Sequence, residues 1–232
     1  MFIMALIMAV ETIFDETDIQ ELLEQNAVPP NGPRNAALIL GGSYWGLTPL
    51  ELCLVSTEDV MAPNGDLYRS WVLPKHASFN GEAREIHTED HVLPFFEKYI
   101  EHRLSRGWEL SANLHSHRGL KPDSKFFLND QGELYKPTER KDKPGAYQPR
   151  SMIEQLKRMI GRTGIQGATP ASFRDSYIKG LYEGGASWKD LMKASGIKQK
   201  RTLEKKVRPH EREIEEVLKN LFSRVKMPET LK

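Results

Sequence analysis

Arg174 and the cations that follow it are the residues of this chain best suited to chemistry, and the chemistry they suit is the holding of phosphate. Arg174 lies in Thr169-Pro170-Ala171-Ser172-Phe173-Arg174-Asp175-Ser176-Tyr177. A guanidinium presents its donors as a planar fork that fits two phosphate oxygens, and it stays charged at physiological pH. The same fork serves an internal ion pair with Asp175 or another acid, so both uses stand open. The run Lys198-Gln199-Lys200-Arg201-Thr202-Leu203-Glu204-Lys205-Lys206-Val207-Arg208 adds six cations and one anion. Such a run is either a solvated helix face or a surface for nucleic-acid backbone, whose phosphates are bound with little regard to sequence. Lys198, Lys200, Arg201, Lys205 and Lys206 are therefore candidate DNA contacts beside Arg174.

Other reactive side chains form thinner patterns. His115-Ser116-His117 would set two imidazoles on one side of a strand, but no cysteine lies near and carboxylates such as Asp123 do not complete a tetrahedral site. No metal and no cofactor are expected. His87 and His91 have no serine or cysteine partner motif. Cys53 is the one cysteine, inside the apolar run Leu50 to Val55, which excludes an internal disulfide and predicts a buried, inert thiol in a reducing cytoplasm.

These residues need a scaffold. Asp15-Glu16-Thr17-Asp18 before Ile19, Leu22 and Leu23 predicts a capped helix start, and Pro29-Pro30-Asn31-Gly32-Pro33 breaks the chain after it. The apolar run Ala36 to Leu40 leads through Gly41-Gly42 to Thr48-Pro49-Leu50-Glu51-Leu52, where proline in a first turn predicts another buried helix. Residues 67–73 and 83–87 flank Asn80-Gly81 and predict an antiparallel hairpin. Val92, Phe95, Phe96, Tyr99 and Ile100 follow at helical spacing, closed by Ser105-Arg106-Gly107. Residues 111–150 predict a long, basic, partly mobile loop with an ordered island at Lys125 to Asn129. From Ser151 the pattern is helical to the end. Trp188 to Ile197 has the spacing of a helix-turn-helix, and residues 209–232 carry an amphipathic stripe for self-packing or for a second protomer.

With 33 basic and 32 acidic side chains the net charge is +1, so any nucleic-acid face must come from local segregation. The start, Met1 to Val10, is apolar but too short to span a bilayer and has no basic flank, which predicts a buried strand or interface segment and no membrane association. One domain over 1–232 is expected.

The cadence of residues 169–192, a motif helix followed by Gly184-Gly185 and a second helix, resembles the tyrosine recombinases, or phage integrases, over roughly residues 12–207. The family's first motif, in which an arginine follows Gly-Leu and Glu-Leu comes three residues later, is similar to Gly46-Leu47-Thr48-Pro49-Leu50-Glu51-Leu52, with Thr48 in the arginine position. Its His-x-x-Arg motif is similar to Ala171-Ser172-Phe173-Arg174, with alanine in the histidine position. Lys125 to Gly132 resembles the short strand before the last helices. The resemblance implies an α+β, mainly helical catalytic-domain fold with a small antiparallel sheet, Arg174 as a phosphate ligand and Lys75 of the hairpin in the place of the family's general acid, although it lies farther from Arg84 than the family's spacing suggests. It puts Leu203 in the position of the nucleophilic tyrosine and Ala194 or Ser195 near the third histidine or tryptophan position; no tyrosine follows Tyr182. It further implies double-stranded DNA as partner, association through the C-terminal segment and a home in a mobile element. The separate N-terminal DNA-clamping domain of the family is not expected ahead of this domain.

Overall fold

The structure, a computed structural model, describes residues 12–207; the apolar start, Arg208 and the 209–232 stripe lie outside the described residues. Helix α1 (Glu16–Asn26) begins on a reciprocal cap, with the Asp18 N–H donating to Asp15 at 2.9 Å and the Asp15 N–H donating to Asp18 at 3.1 Å. After the proline break, α2 (Gly32–Ser43) buries eleven of its twelve residues. That burial is why Ala36 to Leu40 reads as apolar all round rather than on one face. α1, α3 (Pro49–Leu54), α5 (Leu93–Arg106) and α7 (Ser172–Glu183) pack around it. A β-carbon at Gly42 would strike the Phe173 side chain, so the close approach of α2 and α7 depends on that glycine.

A single turn, α4 (Thr57–Val60), leads to β1 (Ser70–Leu73), which pairs antiparallel with β2 (Arg84–His87), Ser70 opposite His87 and Leu73 opposite Arg84. Trp71, Leu73, Arg84 and Ile86 point inward. The strands are shorter than the sequence pattern predicts, and residues 74–83 join them as a loop rather than as a tight reversal at Asn80-Gly81. Gly81 does take the left-handed conformation (φ 72°), but the Asn80 side chain is spent on a distant partner, donating to the Gly196 carbonyl at 2.9 Å. Tertiary contact has replaced the local turn.

Residues 111–150 have little regular structure, as expected of a loop, yet they are closely packed. A 3-10 turn spans His117–Gly119, and β3 (Thr138–Arg140) pairs with β4 (Lys143–Gln148). His115 and His117 therefore sit around a turn, not along one side of a strand; His115 is exposed and His117 buried. Leu120, Phe126, Phe127, Leu128 and Tyr135 join the core beside Trp45, which stacks on Phe96 at 3.9 Å. The polar anchor of this stretch is Arg103 of α5. It is fully buried and donates to the Thr57 hydroxyl (3.1 Å), the Ser124 hydroxyl (2.9 Å) and the Phe126 carbonyl (3.2 Å). The periodicity of residues 111–150 could not reveal this, because the ordering comes from an arginine on another element.

α6 (Arg150–Ile160) turns its strongly apolar face, Met152, Leu156, Met159 and Ile160, into the main core. α8 (Trp188–Ser195) and α9 (Lys200–Val207) join through Gly196, left-handed at φ 69°, and build a second small core of Ile178, Leu191, Leu203 and Val207. Cys53 is buried in the main core, and burial pushes its thiol up to about 12, as an inert side chain requires. Among the described residues no helix is long and apolar enough to cross a membrane.

Arg103→Ala should lower the free energy of unfolding by about 3 kcal/mol, since it strips three buried acceptors of their donor and leaves a cavity. Urea denaturation followed by circular dichroism reads this directly, and a midpoint unchanged from the parent would show that Arg103 does not hold the 111–135 stretch.

Candidate phosphate-binding site

The site is assembled around a buried carboxylate. Glu51 lies in the first turn of α3, where the Thr48 hydroxyl caps the Glu51 N–H (3.3 Å) and the Glu51 carboxylate takes the Thr48 N–H in return (2.8 Å). The same carboxylate is fully buried and accepts the Phe79 N–H at 3.1 Å. Arg84 of β2 closes on it with both terminal nitrogens, one at 2.9 Å, and is itself 5% exposed. Burial pushes the Glu51 carboxyl up. The hydrogen bonds and charge of Arg84, the Thr48 N–H and the charge of Arg174 outweigh that and hold it below the ordinary glutamate value.

Arg174 enters from α7. It donates to the Ser195 carbonyl at the end of α8, and its guanidinium lies 4.3 Å from the centre of the Phe79 ring. Burial brings its pKa down to about 10; Glu51 opposes the shift and Arg84 adds to it. Arg174 remains a cation at neutral pH, and its Nε has no protein partner among the described residues. The acid it faces is Glu51. Asp175, the neighbour in sequence, is held by Lys206 at 2.6 and 2.7 Å. Arg84 binds the Glu51 carboxylate directly, while Arg174 is steadied by the charges of Glu51 and Asp175 without a direct ion pair to Glu51.

The loop 74–83 gathers several of the residues that the sequence singles out. Lys75 is exposed at its start, Phe79 covers Arg174, and Glu82 pairs with Lys198 at 2.6 Å. Lys200 lies 3.6 Å from Glu204 and 5.2 Å from the Trp188 ring centre. Lys206 is turned inward to Asp175 and does not share the outward direction of its neighbours. Arg201 and Lys205 are exposed and have no ion pair among the described residues. The cations of α9 and its approach are therefore of three kinds: paired across elements, paired within the helix, and open to solvent.

The remaining motif positions are occupied by structural side chains. Ala171 stands exposed at the cap of α7 and offers no ionisable group. Leu203 is fully buried in the second core. Tyr177, one of two tyrosines on the Arg174 helix, lies over Gly46, where a β-carbon would collide with its ring and where the backbone is left-handed (φ 61°). Burial raises the pKa of its phenol against the opposing charge of Arg84, the wrong direction for a nucleophile. Sequence reasoning treated Glu51 as framework and missed both its pairing with Arg84 and the role of Phe79. The available signal was an arginine at an inward position of a strand, two residues before Ile86.

No family model matches the sequence, and no curated protein does. Solved structures do resemble it. The XerA recombinase aligns at a TM-score of 0.60 and 14% identity, covering 93% of this chain and 66% of that one. The XerH site-specific recombinase, in a post-cleavage complex with a palindromic difH substrate, aligns at 0.54 and 14%, over 90% of this chain and 53% of that one. The Tn1549 transposon integrase in complex with a circular-intermediate DNA aligns at 0.53 and 14%, over 90% and 66%. The fold is that of a tyrosine recombinase catalytic domain, mainly helical with small antiparallel sheets, and the chain spans between about half and two thirds of the length of these structures.

The depressed Glu51 pKa gives the site a pH signature. Its stabilisation is present above the ordinary glutamate value and is lost as pH falls through the lower folded value. Glu51→Gln should remove that part of the acid dependence and destabilise the chain at neutral pH by about 3–5 kcal/mol, because Arg84 is left buried without its counter-charge. Urea midpoints from roughly pH 3 to 7 test this; parallel curves for parent and variant would place the acid sensitivity elsewhere.

Proposed function

On this recombinase catalytic fold, we propose that the chain is a DNA-binding protein that grips backbone phosphate without forming a phosphotyrosyl bond, and that it serves a mobile element in an accessory or regulatory role in the cytoplasm. The observation that carries the reading is the asymmetry of what is kept. The scaffold residues Gly46, Leu47, Glu51 and Leu52 and one phosphate-type arginine, Arg174, are present, while the positions of the other arginine, a histidine and the nucleophile hold Thr48, Ala171 and a core leucine, Leu203. A hydroxyl does not replace a guanidinium in sharing the charge of a phosphate, and an alanine transfers no proton.

Double-stranded DNA is the proposed partner. XerH and the Tn1549 integrase are DNA complexes by description, and Arg174, Lys75, Lys198, Lys200 and the open cations of α9 are the residues proposed to meet DNA here. Lys206, bound to Asp175, is assigned a bracing role, holding α9 against α7. The α8–α9 pair offers a second mode, a helix-turn-helix placed in the major groove, in which the inward residues Leu191 and Leu203 turn Arg201 and Lys205 of α9 outward for contact. Self-association through residues 209–232 belongs to the same proposal. Two alternatives are an active recombinase with a displaced nucleophile and a protein-interaction module that kept the scaffold.

DNA affinity measured against salt separates the DNA readings from the interaction module. Duplex binding should weaken steeply with salt, and Arg201→Ala with Lys205→Ala should reduce the slope of log K against log salt by about 0.9 per lost contact, alike on all sequences. Lys206→Ala should instead lower stability and leave the slope nearly unchanged. Absence of salt-dependent binding would remove DNA as the partner.

A further inference from the structure

Phe79 has a second neighbourhood. Beyond it lies a groove of about 680 Å³ between α3 and the β3–β4 hairpin, bordered by Leu50 and Leu54 on one side, by Pro144 and Tyr147 on the other, and by His76 and Phe79 of the 74–83 loop. Both aromatic rings stay open to solvent, Phe79 at 39% and Tyr147 at 56% of full exposure. The hairpin does not cover a core, for every residue of β3 is exposed. Its acids are engaged internally: Glu139 accepts the Gly145 N–H at 2.7 Å, and Asp142 binds Arg140. The cations around the groove are not. Lys75, next to His76, and Lys141 at the hairpin tip are exposed without an ion pair among the described residues.

An apolar, aromatic floor with a rim of uncompensated lysines complements one chemistry in particular, a flat uncharged ring tethered to phosphates. We propose that this groove accepts an unpaired DNA base, stacked on Tyr147 with Phe79 beneath it, while the rim lysines hold the flanking phosphates. A base inside a duplex has both faces covered by its neighbours, so only an unpaired or extruded base can enter, and any of the four bases has the π-face that such a platform needs. Phe79 also touches Arg174, so an occupied groove would place a nucleotide one side chain away from the phosphate site. The inference rests on the DNA-binding reading and adds to it a preference for unpaired nucleotides.

The test compares a fully paired duplex with the same duplex carrying one central unpaired thymidine, by fluorescence anisotropy with the full chain. The parent protein should bind the bulged duplex several-fold more tightly. Tyr147→Ala, at an exposed position, should abolish that preference, a loss of about five- to a hundredfold on the bulged duplex alone, and Tyr147→Phe should retain it. Equal affinity of the parent for the two duplexes, an equal loss on both with Tyr147→Ala, or a Phe variant that fails like the Ala variant would overturn the groove assignment while leaving duplex binding intact. No binding to either DNA would overturn the DNA reading itself, and the groove assignment with it.

Discussion

Glu51 is the group on which the arrangement of this domain depends. A carboxylate with no exposure to water must be paired and hydrogen-bonded or it neutralises itself. Here four chain segments meet that need: the Thr48 N–H at the start of α3, the Phe79 N–H in the long loop, the Arg84 fork from β2, and the charge of Arg174 from α7. Each of these groups is set in place because the carboxylate requires it. The loop 74–83 is drawn down over α7, the two-stranded sheet is tied to α3, and Arg174 is held where Phe79 and Ser195 can share it. In a sheet with two strands among the described residues, tertiary ties of this kind supply what the ladder cannot.

A second constraint is spatial. α7 carries Arg174, and it reaches its position only because Gly42 allows Phe173 close to α2 and Gly46 allows Tyr177 over the turn before α3. The position of the guanidinium is therefore set by backbone approach on one side and by charge on the other. A site fixed in this way can lose its proton-transfer groups and its nucleophile without losing its shape. Leu203 is fixed in the same way by packing, in a small core with Ile178, Leu191 and Val207.

Much of this was legible in the sequence where signals were local. The Asp15 cap, proline in the first turn of α3, the glycine closing α5 and the fold class implied by the resemblance all reappear in the structure. Where partners were distant in sequence, the reading stopped short. Asn80-Gly81 carries the residues of a tight turn, yet the Asn80 side chain is bound to Gly196 and a longer loop results. Residues 111–150 lack periodicity, yet Arg103 and a cluster of aromatic rings order much of the stretch. Lys206 looked like its neighbours in a basic run, and only the fold shows Asp175 within its reach. The Glu51–Arg84 pair was invisible for the same reason, as neither residue announces the other across 33 positions.

The central claim is that this scaffold binds DNA and has given up covalent chemistry, and trapping on a nicked suicide duplex tests it most directly. The protein should shift the duplex in a native gel at low salt, yet yield no detergent-resistant protein–DNA adduct. A covalent adduct would contradict the account. If peptide mapping placed the bond on Tyr177 or Tyr182, an active recombinase with a displaced nucleophile would take its place.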